Sequence, residues 1–403
     1  MRTLALFAVF FASTISSLAA LDAGERCRAR CVPRRRRRCV RPSVVHDDVS
    51  RRKSQHLDLV QREEVEPAGT DPLFRCVRLV HRALPELRLA DVDLSAEVSG
   101  ARLRAPLMVV GMTGGTDRAG QINRDLARIA EEEGIAFGVG SMRVLLDQPE
   151  LLPTFDVRPA RPPRLFANLG AQQLVQRGRD AALRLIELIG ADGIAIHLNP
   201  AQELVQDGGD RDFTGCLDAI ARLAEELGER LIVKETGCGI GPDVVRELIA
   251  RKVRVIDVSG AGGTSWTRVE QLRAQTAEAG ALGELLSDWG LPTAACIGAA
   301  VRVLAPKKGP RVRVIASGGV RSGLDVARAL ALGADLAGFA LPMVRAHQGG
   351  GIDAARAALH GAIAALRAAC LLVGARDVQA LRASRPVLLE PLPSWIAQLE
   401  PPP

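Results

Sequence analysis

From residue 105 onward the chain keeps a steady rhythm. A short, nearly continuous apolar run ends in a polar or glycine-rich cluster, and a stretch of helical periodicity follows. The runs are 106–112 (PLMVVGM), 135–141 (IAFGVGS), 164–170 (RLFANLG), 193–199 (GIAIHLN), 231–237 (LIVKETG), 254–260 (RVIDVSG), 312–319 (VRVIASGG) and 336–342 (LAGFALP). Apolar runs of this kind suit parallel strands buried on both faces. Amphipathic stretches lie between them, among them Ala119–Glu133, Ala181–Ile189, Phe213–Leu227 and Leu324–Leu332, and glycines close several as helix ends require. Eight β-α units predict a TIM (β/α)8 barrel over residues 105–395 with an N-terminal extension. The runner-up is a doubly wound open sheet, which would not keep eight parallel runs with a polar cluster after each. Leu272–Lys308, rich in Ala and Gly and containing Pro292 and Pro306, reads as the sixth helix plus an insertion over one end of the barrel. Residues 46–104 read as an N-terminal segment with a short helix and a hairpin-like region, and residues 1–45 as a basic extension.

Composition narrows the partners. The 403 residues are 47% hydrophobic and 25% charged, the balance of a globular protein that buries a large core. Aromatics make up 3% and tyrosine is absent, which argues against a surface that stacks single-stranded bases. Much of the net charge of +7 sits around Arg34–Arg38, a block read as a solvated, extended tail rather than a nucleic-acid or membrane contact. Cys76, Cys216, Cys238, Cys296 and Cys370 are scattered without a CxxC pair, as reduced thiols would be. Cys27, Cys31 and Cys39 match no common zinc spacing. Arg2, the apolar run Leu4–Ala12 and the small residues Ser16–Ala20 look like a signal peptide, too short for a spanning helix of about 20 residues.

Barrel chemistry is expected at the C-terminal strand ends. The first run ends Gly111-Met112-Thr113-Gly114-Gly115, where consecutive glycines let backbone approach a flat ring or an anion, or simply make a tight turn. The second and third end in Ser141-Met142-Arg143 and in Asn168, which would bring a hydroxyl, a guanidinium and an amide to one mouth. The fourth ends His197-Leu198-Asn199-Pro200-Ala201-Gln202-Glu203. Alternation turns His197 and Asn199 to one face, Pro200 stops the strand, and Gln202 and Glu203 follow in the loop. A carboxylate beside amides suits magnesium shared with a phosphate; a helix cap with a solvated glutamate is the plain alternative. Lys234 lies inside an otherwise apolar strand, where a lysine needs a partner such as a flavin or phosphate. Gly318-Gly319-Val320-Arg321, opening onto a helix, reads as a phosphate site.

Taken together these residues resemble the type 2 isopentenyl-diphosphate isomerases. The matching pieces are Arg52-Lys53 with His56, Met112-Thr113-Gly114-Gly115, Ser141 with Arg143, and Asn168. They continue with His197-Leu198-Asn199-Pro200 then Gln202-Glu203, Lys234-Glu235, Gly262-Gly263-Thr264-Ser265-Trp266, and Gly318-Gly319-Val320-Arg321. The resemblance covers roughly residues 47 to 395, and its HLNPxQE and GGTSW pieces are specific. It implies FMN across the barrel mouth, contacted by Met112, Thr113, Gly114, Gly115, Ser141, Asn168 and Lys234. Ser259, Thr264, Gly318, Gly319, Arg321, Ala340 and Leu341 would complete that site, the last six largely around the phosphate. Arg52, Lys53 and His56 would hold the substrate diphosphate, with Ser141, Met142 and Arg143 near it. Gln202 would face the allylic carbons with His197 and Asn199 as its catalytic companions, and Glu203 would hold Mg2+ against the diphosphate.

The chemistry so implied is a 1,3-proton shift between isopentenyl and dimethylallyl diphosphate, with reduced FMN as the working form and NADPH needed only to reduce it. The resemblance also implies a homo-oligomer, a tetramer or an octamer, with no nucleic acid and no stable membrane insertion. A cytoplasmic location follows, since export would separate the enzyme from flavin, nicotinamide and diphosphates; the signal-like start is then an extension foreign to the family. Met142 stands where the family often has a polar residue, and three consecutive basic residues, Arg51 to Lys53, leave the register of the diphosphate pair open. Two rival readings are an FMN-dependent 2-hydroxy-acid oxidoreductase, which would want a histidine base and a late arginine pair, and a catalytically silent flavin-binding protein.

Overall fold

The computed structural model describes residues 44–67, 69–305 and 309–399. The expectations placed on residues 1–43, among them the basic block, Cys27, Cys31 and Cys39, lie outside the described residues.

Each of the eight apolar runs contains a strand: β1 Leu107–Val109, β2 Ala136–Gly138, β3 Leu165–Gly170, β4 Gly193–Leu198, β5 Leu231–Glu235, β6 Val255–Asp257, β7 Arg313–Ala316 and β8 Leu336–Phe339. All pair in parallel with their sequence neighbours, and β8 pairs with β1 to close the barrel. The expected (β/α)8 fold is therefore the observed one.

Strand alternation sets the barrel interior. Met108, Ala136, Phe166, Ala195, Ile232, Val255, Ile315 and Leu336, one from each strand, form an apolar layer. Two residues further along, each strand meets a second layer, composed of Val110, Gly138, Asn168, His197, Lys234, Asp257, Ser317 and Gly338. This layer is polar from β3 to β7 and small or apolar from β8 through β2. The hairpin-like region is a real hairpin, Ala96–Val98 with Ala101–Leu103. Its Val98 and Leu103 pack into the interior layer and plug the N-terminal end, where Ser99 is tied to the segments leading into β3 and β5.

Several helices depart from their expected limits. Helix α1 runs Val44–Arg62, and α2 runs Asp117–Glu133 with Thr116 as its cap. The next helix begins at Ala171 rather than Ala181: α3 is Ala171–Ile189, with a break at Gly178 (φ 78°) separating a buried first part from the amphipathic one. The stretch expected as loop after β4 is a short helix, α4 Pro200–Val205, because Pro200 at its first turn starts a helix as readily as it ends a strand. The fourth barrel helix starts at Cys216, after Gly215 in the left-handed conformation, and not at Phe213: α5 is Cys216–Leu227. Helix α6 is Pro242–Ala250. The insertion after β6 starts at Trp266, earlier than Leu272, and holds α7 Trp266–Arg273 and α8 Ala277–Leu285 before the sixth barrel helix, α9 Thr293–Leu304. Helices α10 Gly323–Leu332 and α11 Leu341–Leu372 complete the ring, the latter kinked at Gly350 and Gly351. Among the described residues α11 is the one helix long and apolar enough to cross a membrane, and here it packs along α10 and α2.

Candidate active site

The polar layer is the floor of a cavity of about 1410 Å3, mouth included, at the C-terminal end of the barrel. Asn168, His197, Lys234, Ser259 and Ser317 line it from below, and Gly111 and Gly338 line the opposite arc. His197 Nδ1 lies 2.8 Å from Asn168 Oδ1. Burial, then the charges of Lys234, Lys53 and Arg143, push the His197 pKa down to about 3, so it is neutral at physiological pH. A β-carbon at Gly338 would come within 2.6 Å of Val110 Cγ1 and 3.0 Å of Ser317 Cβ. The glycine is what keeps that arc low enough for a flat group.

Helix α4 carries the most connected polar group. Asn199, its cap residue, donates from Nδ2 to Gln202 Oε1 (3.3 Å) and to Glu203 Oε1 (3.0 Å). Glu203 is buried, and its Oε2 accepts from the Asp210 backbone N–H at 2.9 Å and from Gln206 Nε2 at 3.4 Å. Asn199 Oδ1 is buried without a hydrogen-bond partner and lies in the same cluster. The solvated-glutamate alternative thus fails: the carboxylate faces inward, beside an oxygen with open acceptor capacity.

Helix α1 crosses the cavity and is pinned from several sides. Arg345 Nε donates to the Val60 carbonyl (2.8 Å), Gln348 Nε2 to that of Leu57 (3.3 Å), and Arg118 pairs with Asp58. Its Arg52, Lys53 and His56 line the cavity opposite Arg143, whereas Arg51 is exposed. The open register of the basic pair therefore falls on Arg52 and Lys53. Burial, reinforced by Arg52 and Arg143, lowers the Lys53 pKa to about 7, and burial with Arg143 also lowers that of Arg52. Three cations crowded together with little water are poised for a polyanion.

Sequence reasoning missed Glu270. On α7, with its side chain 1% exposed, it sits 3.1 Å from His56 Nε2, accepts from Gln202 Nε2 at 3.2 Å, and pairs with Arg273. Burial alone would raise its pKa, but His56, Arg273 and Gln202 together hold it down at about 2. Burial keeps His56 itself below its usual value. The available signal was the one-turn spacing from Trp266, which stacks edge-on against His56 at 5.1 Å. Asp257 and Ser317 of the polar layer were also missed, although alternation along β6 and β7 would have found them.

The glycine turn after β7 behaves differently from expectation. Gly318 (φ 88°) and Gly319 (φ 73°) do line the cavity, with Arg321 beside them. The helix behind them does not offer its N-terminus, because Ser322 and Asp325 close a capping box there. Helix α11 opens at Leu341 with no side-chain cap, and Ala340 and Leu341 line the cavity. Pro342 has no N–H, and the Met343 and Val344 amides donate to the Ala340 carbonyl, so what this wall could offer an anion is the Leu341 amide, the glycine turn and Arg321, which here pairs with Glu66. Met112, Thr113, Ser141 and Thr264 line the cavity as expected. Met142 does not: its side chain is fully buried in the core. Gly114 and Gly115 do not line it either. The first packs against Phe155 and the second donates its N–H to Thr154, so they shape the turn that carries Thr113.

The residues fit FMN on these observations: a low glycine arc, a buried lysine in the floor, and an uncapped helix end beside left-handed glycines. Among the described residues no group of three or more His, Cys, Asp or Glu side chains could hold a metal. Glu203 and Asn199 Oδ1 suit only a cation that completes its shell from a bound phosphate and water, as magnesium does.

Comparison with known proteins agrees with this geometry. Residues 159–387 match the FMN-dependent dehydrogenase family. The chain is 46% identical over 297 residues to an isopentenyl-diphosphate delta-isomerase of a Nostoc species, covering 73% of this chain and 83% of that one. It is 45% identical over 341 residues to the protein of that name from Aeropyrum pernix, covering 83% and 88%. Among solved structures, a mandelate oxidase variant with a monooxide FMN adduct superposes with a TM-score of 0.59 over 86% of this chain and 100% of the other, at 17% identity. That last likeness is one of fold.

Proposed function

The chain belongs to the isopentenyl-diphosphate delta-isomerase family, and we propose that it interconverts isopentenyl and dimethylallyl diphosphate at this cavity with FMN in its reduced form. The observation that carries the reading is the placement of Gln202. Its amide is held at both ends, by Glu270 and Asn199, between the basic cluster of α1 and the polar floor.

Arg52, Lys53 and Arg143 bind the diphosphate, and Glu203, with Asn199 in the same cluster, would hold the magnesium that offsets its charge. This fixes the polar end of the substrate and directs its short alkene toward the floor. Leu57, Val60, Val110 and Trp266 give that end apolar walls. An alkene is a weak base, so a proton reaches it only from a well-placed acid in a site that supports the cation formed. When bound, reduced FMN supplies the acid–base group, with no net redox change. The protein's part is orientation and charge: Gln202 is fixed over the allylic carbons, neutral His197 braces Asn168, and Glu270 holds negative charge near the developing cation. NADPH enters only to bring FMN to its reduced state. We further infer a homo-oligomer, a tetramer or octamer, working in the cytoplasm.

The test is anaerobic. Purified protein should carry a flavin spectrum and, once reduced, convert isopentenyl diphosphate to its isomer. A flavoprotein that oxidises 2-hydroxy acids and leaves isopentenyl diphosphate untouched would overturn the reading.

A further inference from the structure

Asp257 belongs to the polar floor, yet the reaction described above makes no use of it. It ends β6, and its Cα pairs in register with that of Lys234 on β5. It is 1% exposed and Lys234 8%, and both line the small void that continues the cavity into the barrel. The Ser317 hydroxyl lies 2.7 and 2.9 Å from its two carboxylate oxygens, and the Ser259 backbone N–H donates to Oδ1 at 3.2 Å. Burial is the largest influence and raises its pKa above the usual aspartate value, while Lys234 and these donors work toward the charged form. A buried carboxylate with two serine donors and a lysine one strand away is an assembled feature, not a stray core acid.

We propose that Asp257 is a redox-tuning residue: its buried charge offsets that of Lys234 beneath the flavin and sets how readily the cofactor is reduced, without touching it. The proposal rests on the assignment of FMN to this cavity. Reduction adds negative charge to the flavin ring, and the charge beneath it decides how far that is opposed. Lys234 alone draws the cofactor toward the reduced form, and Asp257 counters it. Because both groups are out of water, each acts at low effective dielectric and over several ångströms. In an enzyme that needs the reduced form but spends no electrons in turnover, this balance decides how long one reduction lasts.

Asp257→Asn keeps the shape and the Ser317 contact while removing the charge. At a fixed potential it should shift the reduced-to-oxidised ratio of bound FMN toward reduced, by on the order of ten-fold. Lys234→Met should shift it the other way, and the double variant should return toward the wild-type ratio. Opposed shifts that cancel are what charge tuning produces and what a packing role does not. Ser317→Ala, which removes a donor to the carboxylate, should move the ratio in the same direction as Asp257→Asn but less, and it decides the matter should Asp257→Asn fail to fold. The ratio is read by equilibrium reduction against a reference dye, with flavin content measured on the same samples. An Asp257→Asn protein that carries FMN at wild-type content with an unchanged ratio overturns the proposal, as do shifts of the same sign in Asp257→Asn and Lys234→Met. A wild-type protein that binds no FMN overturns the cofactor assignment on which the proposal stands.

Discussion

Gln202 on α4 donates its amide to Glu270 on α7 across 3.2 Å, and the same glutamate oxygen lies 3.1 Å from His56 on α1. One carboxylate oxygen thus joins the helix after β4, the insertion after β6 and the N-terminal helix over the cavity. It also dictates which way the Gln202 amide points. In Glu270→Gln the acceptor is lost as a charge and competes as a donor, so Gln202 is free to turn. We expect kcat to fall by about 10²–10³-fold, the range of a positioned polar group in proton transfer, with FMN content unchanged and KM moved far less. Wild-type kcat in this variant would remove Glu270 from the site.

Lys53 gives a pH signature. Its pKa is about 7 in the free enzyme, against 10.5 for an ordinary lysine. A bound diphosphate favours the charged form and raises it again, so at pH 8 substrate binding should draw a proton from solution. Calorimetry in buffers of different ionisation heat measures that uptake, and Lys53→Met should abolish it. The same shift has a stability consequence. Between the folded value near 7 and the unfolded value of 10.5, the unfolded chain binds more protons. The contribution of Lys53 to stability therefore rises with pH across that window, and falling pH reverses it. Binding without proton uptake would show that Lys53 is already charged in the free enzyme.

The barrel was legible because its signal is redundant: eight apolar runs and their polar ends each say the same thing, and each run holds a strand. The limits of α3 and α4 were harder, because α3 starts at Ala171, well before the amphipathic stretch from Ala181, with Gln172 and Gln173 buried, and Pro200 opens a helix where it suggested only a stop. Site residues at strand ends could be placed because position along a strand fixes position in the barrel. Glu270 was harder: its one-turn spacing from Trp266 was the local signal, but it lies on an insertion whose path over the cavity is set by packing on α1 and α4. Met142 misled for a related reason: it follows a strand end, but the 3-10 turn that begins at Arg143 swings its side chain into the core.

Glu203 is the carboxylate assigned to magnesium. Glu203→Gln keeps a side chain of the same size and can still accept from Asn199, so the fold should stand and FMN should stay bound. Magnesium should no longer stimulate turnover, and activity should fall by about 10²-fold or more, as loss of a metal's charge stabilisation implies. The measurement is a magnesium titration of initial rate beside a flavin spectrum. Full activity with added magnesium in this variant would sink the assignment.

Nicotinamide should be a primer and not a reactant. Under strict exclusion of oxygen, many molecules of product should form for each NADPH oxidised, and the count should rise with time after a single reducing pulse. Product quantified against nicotinamide absorbance gives the ratio directly. A ratio fixed at one, whatever the incubation time, would place the protein among the oxidoreductases that share its fold.

Gly338 tests the low arc of the floor. It lies on β8 at the level of Lys234 and Asp257, and its missing side chain is what leaves space beside Val110 and Ser317. A β-carbon there meets Val110 at 2.6 Å and Ser317 at 3.0 Å, and both neighbours are buried directly after closed barrel strands, with little freedom to retreat. Gly338→Ala should therefore cost about 1–3 kcal/mol through overpacking. The strain has one soft direction, upward into the cavity, so the displaced side chains should intrude where the flavin rests. We expect thermal unfolding of the FMN-free protein to drop modestly, while FMN affinity falls at least ten-fold. A variant with lowered stability but wild-type FMN affinity would show that the flavin does not lie over this arc.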